Sequence, residues 1–179
     1  MKNYYFEYES PLGMLTIIID DEAINGLWFN GQKHFCRNHD LSETEKLSHD
    51  SNNKKQSDEA KAVYKKAVLW LDQYFQGQQP SLDIPTKTIV GTPYQKAVWQ
   101  ELKLIPYGKT VSYLDIATSL KQKTVFKATH PRAVGGAVGK NPISIIIPCH
   151  RVIGTNKKLT GFAGGLETKE KLLKLEGFL

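Results

Sequence analysis

Asn141-Pro142-Ile143-Ser144-Ile145-Ile146-Ile147-Pro148-Cys149-His150-Arg151-Val152-Ile153 is the stretch on which the reading of this chain depends. Asn-Pro initiates a turn, and an asparagine side chain can hold one through bonds to nearby backbone. Residues 143–147 are too short and too β-branched for a helix, so they predict a buried strand that stops at Pro148. Directly beyond it stands a thiol with an imidazole and a guanidinium beside it. Thiolate is the nucleophilic form, and a neighbouring base or positive charge lowers a cysteine pKa from about 8.5. Neighbours on an extended strand point to opposite faces. His150 can therefore serve Cys149 only if the strand gives way to a turn at Pro148 or a water relays the proton. The competing reading is a buried, inert core cysteine, the commoner fate of a solitary one. A base also needs a partner that fixes its tautomer. The carboxylates after His150 are Glu167, Glu170 and Glu176. Spacing alone does not choose among them, although an apolar stripe of Leu166, Leu172 and Leu173 is expected to turn Glu176 inward.

Upstream, Thr92-Pro93-Tyr94-Gln95 carries the marks of a helix start: an N-cap threonine, proline at the first helical position and a capping-box glutamine. That helix is expected to reach about Leu104, with Ala97, Val98, Leu102 and Trp99 facing inward, and to stop before Pro106 and Gly108. Ser112-Tyr113-Leu114-Asp115 repeats the capping-box pattern and predicts a short helix to about Leu120. Another short helix follows Pro131, through the small apolar run Ala133 to Val138. Two short helices in succession suggest a helix-turn-helix. Residues 90–179 hold 14 lysines and arginines against 5 carboxylates, a net of +9, whereas residues 1–89 hold 10 against 13, a net of −3. A basic half joined to a mildly acidic one suggests a surface for a polyanion, most simply nucleic acid. The alternative is a well-solvated basic surface with no such partner. Residues 166–175 predict a closing helix, and residues 152–161 a loop.

The first half reads differently. Residues 4–9, 14–19 and Ile24–Phe29 form three β-rich runs around the turns at Pro11-Leu12-Gly13 and Asp20-Asp21-Glu22, an antiparallel meander. Residues 38–58 are polar and predict a surface loop. A helix is expected from Asp58 to Phe75, with Val63, Ala67, Trp70, Leu71 and Tyr74 on one apolar stripe and Gly77 ending it. Residues 78–88, with Pro80 and Pro85, predict an extended linker holding the domain boundary, so the units are residues 1–88 and 89–179.

The chain of 179 residues is long enough to bury a sizeable core. Cys36 and Cys149 lie far apart, and the first residues lack an apolar signal core, so a soluble, cytoplasmic protein without a disulfide is expected. No apolar run approaches the roughly 20 residues that span a bilayer. His34, Cys36 and His39 lie close together, but one cysteine does not make a standard zinc spacing, and no metal is expected.

The stretch 141–153, together with Arg132-Ala133-Val134-Gly135-Gly136-Ala137, Gly164-Gly165-Leu166, Lys169, Glu176 and Val111-Ser112-Tyr113, resembles the signature of the O6-alkylguanine-DNA alkyltransferases. The resemblance covers about residues 90–177; the first half matches in layout alone. It implies an α+β fold: a ribonuclease-H-like sheet plus helix, then a mainly helical domain with a winged-helix-like helix-turn-helix. It implies that Cys149 takes the alkyl group from guanine O6, and also from O4-alkylthymine, once and irreversibly. His150 accepts the thiol proton through a water, Glu176 orients His150, and Asn141 holds the turn. Tyr113 donates to the base or presses on its 3′ phosphate. Arg132 enters the stack in place of the extruded nucleotide, and Ala133, Gly135, Gly136 and Arg151 meet the DNA. Val138, Val152, Phe162 and Ala163 line the base pocket, supported by Lys169. No cofactor is implied, the partner is double-stranded DNA approached from the minor groove, and the protein acts as a monomer. Three features depart from the pattern. Tyr113 and Arg132 stand farther apart because residues 121–130 are longer, Ala163 replaces a serine of some relatives, and Phe162 replaces a tyrosine.

Overall fold

The structure, a computed structural model, describes residues 2–37, 39–47, 56–81 and 83–179. Strands β1 (Tyr4–Ser10), β2 (Gly13–Ile19) and β3 (Ile24–Phe29) form the expected meander, and β4 (Glu45–Lys46) pairs parallel to β1, giving the order β3-β2-β1-β4. Local polar chemistry sets the register. Ser10 Oγ donates to the Gly13 carbonyl at 2.6 Å and Gly13 takes φ +117°, which a glycine adopts freely. At the next corner Asp20 Oδ1 accepts from the amides of Glu22 and Ala23, both at 2.8 Å. Helix α1 (Asp58–Phe75), capped by Ser57, lays Val63, Ala67, Trp70, Leu71 and Tyr74 into the core against β1 and β2.

The second half packs α2 (Pro93–Lys103), α3 (Tyr113–Lys123) and α4 (Pro131–Val138) on one another, with both expected capping boxes formed. Trp99 Nε1 donates to the Ala137 carbonyl at 2.9 Å and binds α2 to α4 inside the core. Strands β5 (Val111–Ser112) and β6 (Val152–Ile153) make a short parallel ladder, and α5 (Leu166–Leu175) closes the chain.

The two halves share a seam. Strand β3 is buried along its whole length because its outer edge is covered rather than left to solvent. Leu27 N donates to the Pro142 carbonyl at 2.9 Å, and Ser144 N donates back to Leu27 at 2.8 Å. Ile24 likewise exchanges bonds with Pro85 and Lys87, so residues 85–87 of the expected linker are tied to the sheet. The segment preceding Cys149 is thereby fixed to the N-terminal sheet.

Several expectations need correction. Residues 143–147 do not form a strand: apart from the single bridge of Ile143 to Leu27, they coil into a buried turn in which Ile147 N bonds Ile143 O at 3.0 Å. β-branching favours a strand only where a partner edge continues, and here Asn141 captures the carbonyls instead. Ile145 takes φ +69°, a strained conformation for a β-branched residue. The loop expected over 38–58 contains a 3₁₀ turn (Leu41–Glu43) and β4; Asn38 and residues 48–55 lie outside the described residues. Helix α3 runs to Lys123, past Leu120, and the longer 124–130 turn is anchored where Tyr94 meets Thr129 at 2.5 Å and packs edge-on against Phe126. Residues 152–161 begin with β6 rather than loop. Leu166 is 50% exposed and does not share the buried stripe of Leu172 and Leu173.

Candidate active site

Cys149, His150 and Arg151 form one 3₁₀ turn after Pro148, all three buried. Asn141 builds the loop that presents them. Its Nδ2 donates to Ile147 O at 2.8 Å, to Ile143 O at 3.3 Å and to Cys149 Sγ at 3.1 Å, while its Oδ1 accepts from Ile143 N at 3.1 Å. A single side chain thus ties both ends of the loop and touches the sulfur. Burial pushes the Cys149 thiol up; the Asn141 bond and the Lys169 charge work against that push.

Glu176, at the C-cap of α5, gathers five donors. His150 Nε2 reaches Oε1 at 2.7 Å, Arg151 Nη2 at 2.9 Å and the Tyr74 hydroxyl at 2.8 Å; Arg151 Nε reaches Oε2 at 2.8 Å and Gly108 N at 3.1 Å. Burial opposes its ionisation, but the bonds from His150 and Arg151 prevail and bring the carboxyl down to about 2. Burial keeps His150 below its usual range even with Glu176 beside it. With Nε2 committed to the carboxylate, His150 Nδ1 is buried without a hydrogen-bond partner among the described residues.

Next to this turn lies a cavity of about 550 Å³ lined by Tyr113, Gly135, Gly136, Val138, Phe162 and Ala163, with Lys33 and His34 from the N-terminal half on its other side. Lys33 N donates to Ala163 O at 3.1 Å, which holds that wall in place. The Tyr113 hydroxyl meets the carbonyls of Thr160 and Gly161 at 3.2 and 3.4 Å. Lys169, fully buried, donates through Nζ to Val152 O, and to Thr160 O at 2.6 Å, so it braces the 160–163 segment from behind. Burial draws its pKa down to about 8. Neither Val152 nor Cys149 is in the cavity lining; both are buried, and Cys149 keeps 4% of its surface exposed. Phe162 stands 6.5 Å, centroid to centroid, from the His150 ring.

The sequence-derived residues divide accordingly. Cys149, His150, Glu176 and Asn141 converge. Tyr113, Gly135, Gly136, Val138, Phe162 and Ala163 share the cavity wall. Arg132 and Gly136 are exposed on α4, whereas Ala133 and Gly135 are half-buried. Arg151 is corrected: its guanidinium is spent on Glu176 and on Ile105 O at 2.7 Å, so it is not free for a DNA contact. Sequence reasoning missed Tyr74, which the periodicity reads as an ordinary core position, and the wall from Lys33 and His34. Among the described residues no three His, Cys, Asp or Glu side chains converge as a metal site, and His39 packs edge-on against Trp28.

A small sheet-and-helix unit is joined to a basic, mainly helical unit that presents a loop-held cysteine beside a His–Glu pair, the makings of a thiol-dependent protein. Comparison with known families matches residues 3–88 to the ribonuclease-like domain and residues 93–178 to the DNA-binding domain of 6-O-methylguanine DNA methyltransferase. The methylated-DNA–protein-cysteine methyltransferase of Haemophilus influenzae is 41% identical over 97% of this chain and 86% of its own. That of Methanosarcina acetivorans is 40% identical, covering 97% and 98%. The crystal structure of Mycobacterium tuberculosis OGT in complex with DNA superposes with a TM-score of 0.78 at 34% identity, covering 97% of this chain and 92% of that one. The chain belongs to the methylated-DNA–protein-cysteine methyltransferase family. No helix of the described residues is long and apolar enough to cross a membrane.

Proposed function

We propose that this protein repairs alkylated DNA by moving the alkyl group from guanine O6, and from thymine O4, onto Cys149 in one irreversible event. The observation that carries this reading is the buried chain Cys149–Asn141 and His150–Glu176 beside a cavity of about 550 Å³. In the reaction the thiol proton passes through a water to His150 Nδ1, the one polar atom of the ring left unpaired. Glu176 stabilises the imidazolium that results. The sulfur lone pair attacks the alkyl carbon, the S–C bond forms as the C–O6 bond breaks, and the electron pair returns to the purine. The base gains a proton as the thiol loses one. Tyr113, whose hydroxyl donates to the Thr160 carbonyl before the base arrives, turns to supply it and recovers a proton from water as His150 releases the one taken from the thiol. Nothing in this sequence regenerates the cysteine, and no cofactor takes part.

A base inside a duplex cannot reach this sulfur, so the nucleotide must swing out, at a cost of a few kcal/mol of unstacking. Arg132, exposed near the start of α4, fills the gap. The small residues Ala133, Gly135 and Gly136 allow α4 to approach the minor groove closely. Val138, Phe162 and Ala163 hold the base, with Val152 and Lys169 behind them. We assign residues 1–88 and 89–179 as the two domains, and the protein as a cytoplasmic monomer. The test is incubation with duplex DNA carrying a radiolabelled methyl on guanine O6. Label moving to the protein and saturating at one per chain supports the reading; binding without transfer, or neither, removes it.

A further inference from the structure

Tyr74 lies on α1, in the N-terminal half, yet its hydroxyl donates to Glu176 Oε1 at 2.8 Å and stands 3.4 Å from His150 Nε2. The side chain is fully buried, its ring stacks on Trp70 at 5.3 Å and meets Tyr107 edge-on at 6.1 Å. A buried hydroxyl there is more than packing. Phenylalanine fills the same space, and a phenol in an apolar helix face must find a partner. The partner it has is the carboxylate that holds the histidine.

We propose that Tyr74 is a positioning residue of the alkyl-transfer site, through which the N-terminal domain sets the orientation and basicity of His150. This rests on the reading of Cys149 as alkyl acceptor. Tyr74, His150 and Arg151 Nη2 all give hydrogen bonds to Oε1, so they share the charge of one oxygen. Removing the phenol donor concentrates that charge on His150 Nε2–H. The imidazolium then becomes more stable, His150 holds a proton to higher pH, and Nδ1 is occupied when the thiol needs it. The other charged or titratable groups facing the pair are Arg151 beside it, Tyr107 from the segment after α2, Lys169 from α5, and Cys149 itself. Of these, Tyr107 sends its hydroxyl to Leu175 O and Lys169 sends Nζ to carbonyls, so neither substitutes for Tyr74 at Oε1.

The test is Tyr74→Phe, which keeps the ring and deletes one oxygen. Single-turnover transfer from O6-methylguanine duplex is measured from pH 5.5 to 9, with DNA affinity measured alongside. The expected result is an acid limb shifted up by about one unit, unchanged DNA affinity, and a transfer rate that falls by up to roughly tenfold on that limb and converges with the wild type above it. A variant whose profile overlays the wild type, or is scaled evenly at every pH, overturns the proposal while leaving the transfer reading intact. Wild-type protein that accepts no label overturns both. Should Tyr74→Phe not fold, the wild-type protein decides by NMR. A Tyr74 hydroxyl proton slow to exchange and close to the Nε2 proton of His150 sustains the proposal, and rapid exchange with no such proximity overturns it.

Discussion

Replacing Glu176 by glutamine tests the charge arrangement that organises the site. The carboxylate takes five donors, two of them from a buried guanidinium. An amide keeps one acceptor oxygen, but its NH₂ faces N–H groups that need an acceptor, and Arg151 loses its counter-charge. Two routes give the magnitude. The carboxyl falls from 4.5 in the unfolded chain to about 2 in the folded one, and at about 1.4 kcal/mol per unit this contributes about 3 kcal/mol. Breaking one partner of a buried ion pair costs about 3–5 kcal/mol by direct comparison. Both point to a loss near 3 kcal/mol at neutral pH. Because the folded pKa is the lower one, the contribution is complete above the unfolded value and disappears as pH falls from about 5 towards 2. Urea denaturation of both proteins at pH 7, 5, 4 and 3 reads this directly. The stability gap is expected to hold between pH 7 and 5 and to narrow at pH 4 and 3, since acid turns the wild-type side chain into a neutral group like the variant's. A gap under 1 kcal/mol at pH 7, or one that stays constant with pH, refutes the account of Glu176 as the buried anion of the site.

Asn141→Ala leaves the Ile147 carbonyl and the Ile143 amide without their side-chain partner, and is expected to lower stability by about 2 kcal/mol in chemical denaturation. It also removes the hydrogen bond to the sulfur, so alkyl transfer slows beyond what the stability loss explains. Gly91→Ala puts a Cβ 2.5 Å from the Trp99 ring at φ +99°, and about 1–3 kcal/mol should be lost with no change in the chemistry of the folded protein. Arg132→Ala is expected to slow repair of duplex DNA more than repair of the free alkylated base; equal losses argue against its role in the stack. DNA affinity should fall linearly on a log–log plot as salt rises, and a flat response excludes the basic half as the DNA surface.

The helices were the most legible part of the fold. Capping boxes at Thr92 and Ser112, proline after His130 and the stripe from Val63 to Tyr74 are local signals, and the structure honours each. The cysteine segment was misread because its conformation is set from outside. Asn141 binds carbonyls two and six residues ahead, and β3 takes the bonds that a strand partner would have taken. Periodicity cannot register either. Glu176 could not be picked from three carboxylates by spacing, and only the resemblance singled it out. Arg151 illustrates the opposite failure: charge beside a reactive residue reads as a surface contact until burial shows it paired inside. Tyr74 carried no signal at all, because a tyrosine on an apolar stripe looks the same whether or not its hydroxyl has work to do.

Burial of Cys149 has its own consequence. The resting thiol is held protonated by its surroundings and keeps little exposed surface, so a general thiol reagent at neutral pH should reach it slowly. The most direct measurement is therefore made after reaction with O6-methylguanine duplex: intact mass, followed by peptide mapping. One added methylene per chain, carried wholly by the peptide containing Cys149 and absent from Cys149→Ser, is the expected result. Modification elsewhere, more than one methyl per chain, or repaired DNA with an unmodified Cys149 contradicts the account.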